Sequence, residues 1–150
     1  MGVSTDGELS YGVIFDEDDE FPWDEHGDEE AWWRDVNEYK CPLEWPFDEN
    51  GEWLDVPDRE SKASACFAHQ REWMKANPMP FRLVNACSGD YPQWIVAMPG
   101  IGFCARRGYP VKIDGLPDVD PTALQKLKSF LKDFLDCDEE PGWVLSSYWG

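Results

Sequence analysis

The chain has 150 residues, of which 42% are hydrophobic and 15% aromatic, and its 31 acids against 13 bases give a net charge of −18. Nine tryptophans and eight phenylalanines are typical of a folded domain with an apolar core, which argues against intrinsic disorder. No run of about 18 apolar residues occurs, and the start of the chain lacks the pattern of a signal peptide, so we expect neither a membrane span nor export.

The first predicted element is a strand over residues 9–15. Apolar side chains alternate along it with a period of two, which predicts a half-buried strand. The alternating residues are Leu9, Tyr11, Val13 and Phe15.

The acidic stretch, defined as residues 16–30, follows this strand directly. Ten of its 15 residues are Asp or Glu, and none is Lys or Arg. Phe21, Pro22 and Trp23 interrupt the acids, which indicates an acidic surface anchored to a core rather than a solvated tail.

Asp28 is predicted to cap a short helix that reaches Tyr39, because Asp accepts hydrogen bonds from the first free amides of a helix. Acids in its first turn are favoured by the helix dipole. The acids expected on the solvent side are Glu29, Glu30, Asp35 and Glu38.

Residues 41–58 contain three prolines and an Asp-Glu-Asn-Gly turn, which predicts a loop or loose hairpin. Its larger apolar side chains, Trp45, Phe47, Trp53 and Leu54, are expected to point inward. Residues 61–77 have helical spacing, and Asn77-Pro78 ends that helix because the residue before proline disfavours helical geometry.

Short apolar runs separated by turn residues predict strands over residues 81–86, 93–98 and 102–106, with a brief fourth at 111–113. Asp120 and Pro121 begin a helix with one apolar stripe. Residues 143–149 form a final strand, either interior or at an edge that pairs with a second copy. We therefore predict an α+β fold in a single domain, residues 1–150: a mostly antiparallel sheet with two or three helices packed on one face.

The charge is lopsided along the chain. Residues 1–60 hold 21 acids and 3 bases, whereas residues 61–150 hold 10 of each. Concentrated like charge destabilises a folded protein by self-repulsion, so it usually serves solubility or association. Solubility alone would favour acids spread over the whole chain.

No catalytic or metal motif is evident, so we expect neither an enzyme nor a cofactor. The set Cys66, His69 and Glu72 could form a nucleophilic site, but three residues on one helix rarely converge on a substrate. Asp16, Asp18 and Glu20 alternate as in a calcium loop, but Phe21 stands where the tight turn needs Gly.

The five cysteines lack the close spacing of zinc sites, which favours reduced thiols packed in a core. His26 is expected to be a charged member of the acidic surface. Arg106-Arg107 is interpreted as an internal partner for that surface.

Several segments resemble a group of small acidic proteins encoded by bacteriophages and prophages. They are residues 1–6, the Val-Asn-Ala-Cys-Ser-Gly-Asp-Tyr-Pro segment at 84–92, the Arg-Gly-Tyr-Pro turn at 107–110 and Ser-Ser-Tyr-Trp-Gly at 146–150. The resemblance implies a setting, the cytoplasm of a bacterial host cell. In charge and size the chain is also similar to phage anti-defence proteins that imitate DNA, including antirestriction and anti-CRISPR inhibitors.

These observations predict a surface that binds the basic groove of a host nucleic-acid-binding protein without itself binding nucleic acid. The predicted contact residues are Asp16, Glu17, Asp18, Asp19, Glu20, Asp24, Glu25, Asp28, Glu29, Glu30, Trp32, Asp35 and Glu38. Trp32 or Trp33 would supply an exposed aromatic anchor, and whichever of the two faces the sheet is expected to pack in the core. The alternatives are an acidic immunity or phage accessory protein with another kind of partner, and a small enzyme without a visible motif. The oligomeric state stays open.

Overall fold

A computed structural model describes residues 5–88 and 90–149 of the chain, and within these residues it contains five strands and three helices. The strands are β1 (Thr5–Phe15), β2 (Arg82–Cys87), β3 (Pro92–Ala97), β4 (Phe103–Ala105) and β5 (Gly142–Trp149). The helices are α1 (Glu29–Val36), α2 (Arg59–Ala76) and α3 (Pro121–Leu135). The predicted α+β class with a mostly antiparallel sheet is confirmed.

The chain divides into two compact units. The sheet unit comprises Met1–Pro22 and Pro80–Gly150 and contains the five described strands and α3. The helix unit comprises Trp23–Met79 and contains α1, α2 and the loop between them. The boundary between Pro22 and Trp23 falls inside the acidic stretch.

Strand β1 organises the sheet, whose order is β3-β2-β5-β1-β4. It pairs antiparallel with β5 from Thr5 to Gly12, with β4 from Gly7 to Leu9, and with β3 from Gly12 to Phe15. Because β2 pairs with both β3 and β5, the four strands β1, β3, β2 and β5 form a closed circuit. The last strand, β5, is therefore an interior strand among those described.

Gly12 lies where β1 exchanges one partner strand for another, since it is opposite both Ala97 and Gly142. A Cβ atom at this position would lie 2.3 Å from the carbonyl oxygen of Val96, so only glycine permits the close approach of the two backbones. Ser10 lies on the face of β1 opposite the alternating apolar residues, yet it is fully buried, and its hydroxyl accepts a hydrogen bond from Arg82 of β2 at 3.3 Å.

The core of the sheet unit combines inward residues of the sheet with one face of α3. Phe130 of this helix stacks on Phe81 with ring centroids 4.3 Å apart, and Leu127 and Leu131 are fully buried. Asp120 caps the helix by accepting a hydrogen bond from the Ala123 amide at 2.9 Å, as predicted. The predicted apolar stripe extends too far, because Phe134 is 42% exposed.

A half-buried polar network joins β1 to β2. Arg82 forms an ion pair with Glu8, and its Nη2 donates to the Ser10 hydroxyl at 3.3 Å and to the Ile101 carbonyl at 3.4 Å. The charge of Arg82 is thus compensated inside the sheet unit.

The helix unit is held by ring contacts around α1 and α2. Trp23 contacts Trp32 of α1, with centroids 5.6 Å apart. The bridge between Phe47 and Trp53 closes a loose hairpin over a turn whose Gly51 amide donates to the Asp48 carbonyl at 3.1 Å. The predicted hairpin is confirmed.

Residues 111–113 form no strand and are exposed, because no described strand pairs with them. Residues 1–4, 89 and 150, which carry parts of the phage-protein resemblance, lie outside the described residues. None of the helices in the described part of the chain combines the length and the apolar character that crossing a membrane requires.

Candidate acidic binding surface

The acidic stretch is attached to two cores at once. Phe21 is buried in the sheet unit, where its ring lies 5.5 Å from that of Phe15. Trp23 is buried in the helix unit against Trp32. The predicted anchoring of the acids is therefore confirmed, and it divides them into two segments that belong to different units.

The first acidic segment, residues 16–20, leaves the end of β1 and is exposed throughout. Its turn is internally bonded, since the Asp16 amide donates to Asp19 Oδ2 at 2.7 Å and the Asp19 amide donates to the Asp16 carbonyl at 3.2 Å. Gln93 of β3 donates to Asp16 Oδ1 at 3.3 Å. These bonds hold the turn that carries the five consecutive acids at the end of β1.

The second acidic segment belongs to the helix unit and surrounds α1. Its members are Asp24, Glu25, Asp28, Glu29, Glu30, Asp35 and Glu38. Asp28 caps α1, because its Oδ1 accepts a hydrogen bond from the Ala31 amide at 2.6 Å. Glu29 and Glu30 occupy the first turn, where the helix dipole stabilises negative charge.

Only a few of these carboxylates have a cationic neighbour within the described residues. His26 Nε2 lies 3.3 Å from Asp35 Oδ2, and Arg34 lies 3.9 Å from Glu30 one turn away. No Lys, Arg or His of the described chain comes within ion-pair distance of the following carboxylates: Asp16, Glu17, Asp18, Asp19, Glu20, Glu25, Glu29 and Glu38. Most of the predicted surface is thus uncompensated.

Two of the predicted contact residues, Trp32 and Glu38, are not placed as expected. Trp32 is 3% exposed and packs against Trp23, so it cannot be an exposed anchor. Trp33 is half-buried, and its Nε1 donates to the Asn77 carbonyl at 2.9 Å. Helix α1 ends at Val36, so Glu38, whose φ is 53°, follows the helix instead of extending its acidic side.

The helix unit has an aromatic cluster that the sequence did not predict. This exposed aromatic patch is defined as Trp45, Trp53 and Phe67 together with the half-buried Phe47. Its rings contact one another with centroid distances of 4.4 to 5.6 Å between neighbours. Trp45 is 37%, Trp53 46% and Leu54 38% exposed, so the prediction that this loop points its large side chains inward is wrong for these three, whereas Phe47 is half-buried. Phe67, on α2, is 43% exposed. The six acids among residues 41–58 are the sequence feature that indicates exposed rings in this loop. Burying every ring would draw the neighbouring carboxylates out of water, which is costly.

The position of Cys66 opposes nucleophilic chemistry. Burial, followed by a hydrogen bond with Cys41, raises the pKa of the Cys66 thiol to about 11. Burial also raises the pKa of the neighbouring Tyr39 hydroxyl to about 12, and this hydroxyl lies 2.8 Å from His69 Nδ1. Because the thiolate is the nucleophile, a thiol that stays protonated at neutral pH is a poor one.

Glu72 does not join Cys66 and His69. Lys75 lies 2.6 Å from its carboxylate, and this hydrogen bond lowers the pKa of Glu72. The nucleophilic set considered from the sequence is therefore not assembled. Of the five cysteines only Cys66 is buried, so the expectation that most of them pack in a core is wrong.

The basic pair Arg106-Arg107 does not compensate the acidic surface within the described residues. Among the described residues, the guanidinium groups of Arg106 and Arg107 form no ion pair, and only the Arg107 amide donates to Asp6 Oδ1 at 2.9 Å. No group of three or more His, Cys, Asp or Glu in the described part of the chain is arranged to hold a metal ion.

Comparison of the chain with protein-family models, with curated proteins and with solved structures finds no match in any of the three.

Proposed function

We propose that this chain is a non-enzymatic binding protein that inhibits a nucleic-acid-handling complex of a bacterial host by presenting carboxylates to a basic groove. A phage anti-defence inhibitor acting in the host cytoplasm on a CRISPR effector or a restriction enzyme would be a protein of this kind. The observation that carries the proposal is the series of carboxylates in residues 16–38, all exposed except the half-buried Glu29, eight of which have no cationic partner in the described chain.

The physical basis is charge density. Duplex DNA presents one negative charge per about 1.7 Å of its axis, and proteins that bind it line their grooves with Lys and Arg. A folded surface with closely spaced carboxylates can occupy such a groove without being a substrate. Opposite charges also steer the two proteins together, which raises the association rate and makes it salt-dependent.

The two acidic segments supply this surface differently. Residues 16–20 are five consecutive carboxylates in a turn held by Asp16, Asp19 and Gln93. The helix-unit segment spaces its carboxylates around α1, where Asp28 fixes the start of the helix. Both segments are preorganised, which lowers the entropic cost of ordering charges on binding.

Charge reversal tests each segment separately. We expect Asp18→Lys with Asp19→Lys, and Glu29→Lys with Glu30→Lys, each to weaken binding to a captured partner by about 100-fold, because each replaces attraction by repulsion. The matched controls are pairs of exposed acids outside residues 16–38 with the same charge change, Asp90 with Asp118 and Asp133 with Glu139.

Competition separates mimicry from other acidic binding. Duplex DNA should displace the chain from its partner, and affinity should fall steeply with rising salt. Equal loss from the control pairs would show that net charge alone matters. Unchanged affinity after both reversals would remove the proposal.

A second candidate is favoured by the exposed aromatic patch. An immunity or phage accessory protein with a partner other than a nucleic-acid-binding protein would bind through apolar contacts, and exposed aromatic clusters are typical of such interfaces. In that case Trp53→Ala should weaken binding more than either reversal, and DNA should not compete.

A further inference from the structure

The helix unit contains a groove whose charge is opposite to that of the protein around it. The groove has a volume of about 560 Å³ and lies between one face of α1 and one face of α2. Its lining residues are Glu30, Arg34, Phe67, Gln70, Arg71, Met74 and Lys75. Those on α2 recur at three- and four-residue steps, so they share one face of that helix.

Cations concentrate in this groove. The helix unit, residues 23–79, has fifteen acids and six bases, yet the groove is lined by Arg34, Arg71 and Lys75 with Glu30 as its one carboxylate. The net charge of −9 predicts cavities lined mainly by carboxylates in this unit, whereas this groove is lined mainly by cations.

The partners of these cations leave charge available. Arg34 reaches Glu30 only at 3.9 Å, near the limit of an ion pair. Lys75 is compensated by Glu72 at 2.6 Å, so the charge available to a ligand comes from Arg34 and Arg71. Arg71 is exposed, and no ion pair of its guanidinium occurs among residues 5–88 and 90–149.

The wall beside these cations is apolar and aromatic. Phe67 is 43% exposed, and its ring is supported from the loop by Trp45, 5.6 Å away, and by Phe47, 6.4 Å away. Met74 lies about two turns beyond Phe67 on the same face of α2. It adds a polarisable side chain that adapts to different ligand shapes. The amide of Gln70 can both donate and accept hydrogen bonds.

We infer that this groove is a binding site for a small organic anion with a flat apolar body. The body would lie against Phe67 and Met74, while its carboxylate or phosphate would meet Arg71 and Arg34, whose planar guanidinium groups match both anions. The volume is within the range of small-molecule sites. This inference does not depend on the proposed inhibitory function, since the groove and the exposed carboxylates act through opposite charges.

The test uses the full chain and three related probes: 1-naphthoate, 1-naphthyl phosphate and the uncharged 1-naphthalenemethanol. Binding is measured by calorimetry, and the site is located by amide chemical-shift changes. We expect both anions to bind more tightly than the alcohol and to shift amides of α1 and α2. The tighter of the two identifies the anionic group that the site prefers.

Matched substitutions separate the two parts of the site. Arg71→Gln should weaken the anions about tenfold and leave the alcohol unchanged, because it removes one charge-assisted contact. Arg106→Gln, an exposed arginine of the sheet unit, should change nothing. Phe67→Ala should weaken all three probes, whereas Phe134→Ala, which is similarly exposed on α3, should weaken none.

Circular dichroism of each variant shows whether the fold is kept. The inference is overturned if the anions and the alcohol bind equally, or if neither anion binds at about 1 mM. It is also overturned if the shifted amides lie outside α1 and α2, or if Arg71→Gln and Arg106→Gln have equal effects.

Discussion

The sheet unit and the helix unit have the same net charge but very different interiors. The sheet unit has sixteen acids and seven bases and the helix unit fifteen and six, so each has a net charge of −9. The sheet unit buries a continuous set of side chains from its strands and α3, whereas the buried residues described in the helix unit are Trp23, Trp32, Pro46, Ala63 and Cys66. Both units leave large hydrophobic side chains exposed, such as Leu145 at 80% and Trp53 at 46%. The lopsided charge seen along the chain is thus shared equally between the units, over fewer residues in the helix unit.

This difference separates the two requirements of the proposed binding function. A unit with a continuous core stays folded under strong self-repulsion, while a unit with few buried contacts opens more easily and has side chains available for partners. We therefore expect hydrogen exchange in the helix unit to be faster than in β1, β3 and β5. The substitutions below test that expectation, beginning with the largest effect.

Trp32→Ala should have the largest effect, because it removes the most buried ring of a small core. Truncation of a buried tryptophan costs about 3 to 5 kcal/mol of unfolding free energy. Urea unfolding with hydrogen exchange should show the loss in residues 23–79. Trp53→Ala, at a 46% exposed ring, is the control and should cost much less. Equal losses would contradict the assignment of Trp32 to the core.

Gly12→Ala should be the most damaging small change in the sheet unit. The new methyl group would lie 2.3 Å from the Val96 carbonyl oxygen, and overpacking of this kind costs about 3 kcal/mol. Gly7→Ala is the matched control in the same strand, because no atom lies within 4 Å of its added Cβ. Thermal unfolding that is the same for both variants would mean that β1 does not meet β3 at Gly12.

The two helix caps allow a direct comparison between the units. Asp28→Ala and Asp120→Ala each remove one side-chain bond to a free helix amide, at a cost of about 1 kcal/mol. Because α1 has only eight residues, the loss should appear there as faster exchange of its amides. Asp118→Ala, two residues before the α3 cap, should leave unfolding unchanged.

The smallest effect at neutral pH concerns the Cys66 thiol and the Tyr39 hydroxyl. Both have raised pKa values in the folded state, about 11 and about 12, so folding favours their neutral protonated forms. Their contribution to stability is complete below the ordinary values of 9.0 and 10.0 and is lost as the pH rises through the folded values. The stability of the helix unit against urea should therefore fall between about pH 9 and 12.

A thiol replacement tests the origin of this alkaline loss. Cys66→Ala should flatten the fall of stability with rising pH, whereas Cys104→Ala, at an exposed thiol, should leave it unchanged. The same slope in both variants would mean that the buried thiol makes no pH-dependent contribution.

Local signals predicted much of this structure. Asp28 and Asp120 were identified as caps because a cap depends only on the next three residues. The long-range features could not be read in the same way. Strand β1 pairs with β3 and β5, which lie about 85 and 130 residues away in the chain, and the burial of Ser10 beside Arg82 has no local sequence signal.

The candidate site was predicted in composition but not in arrangement. Except for the half-buried Glu29, the predicted carboxylates are exposed as expected, and Phe21 and Trp23 anchor them. Trp32 was included among the contact residues because the sequence left open whether Trp32 or Trp33 faces the core, and the periodicity of one short helix does not decide between adjacent tryptophans. The division of the acidic stretch between two units depends on contacts that no local pattern contains.

The most direct test of the acidic surface is retention of bacterial proteins on the immobilised chain, followed by elution with duplex DNA. The proposed function predicts that the wild-type chain and the two control pairs retain the same basic proteins, that DNA releases them, and that the Asp18/Asp19 and Glu29/Glu30 reversals retain much less. Retention that DNA does not release, or that both reversals leave unchanged, would contradict it.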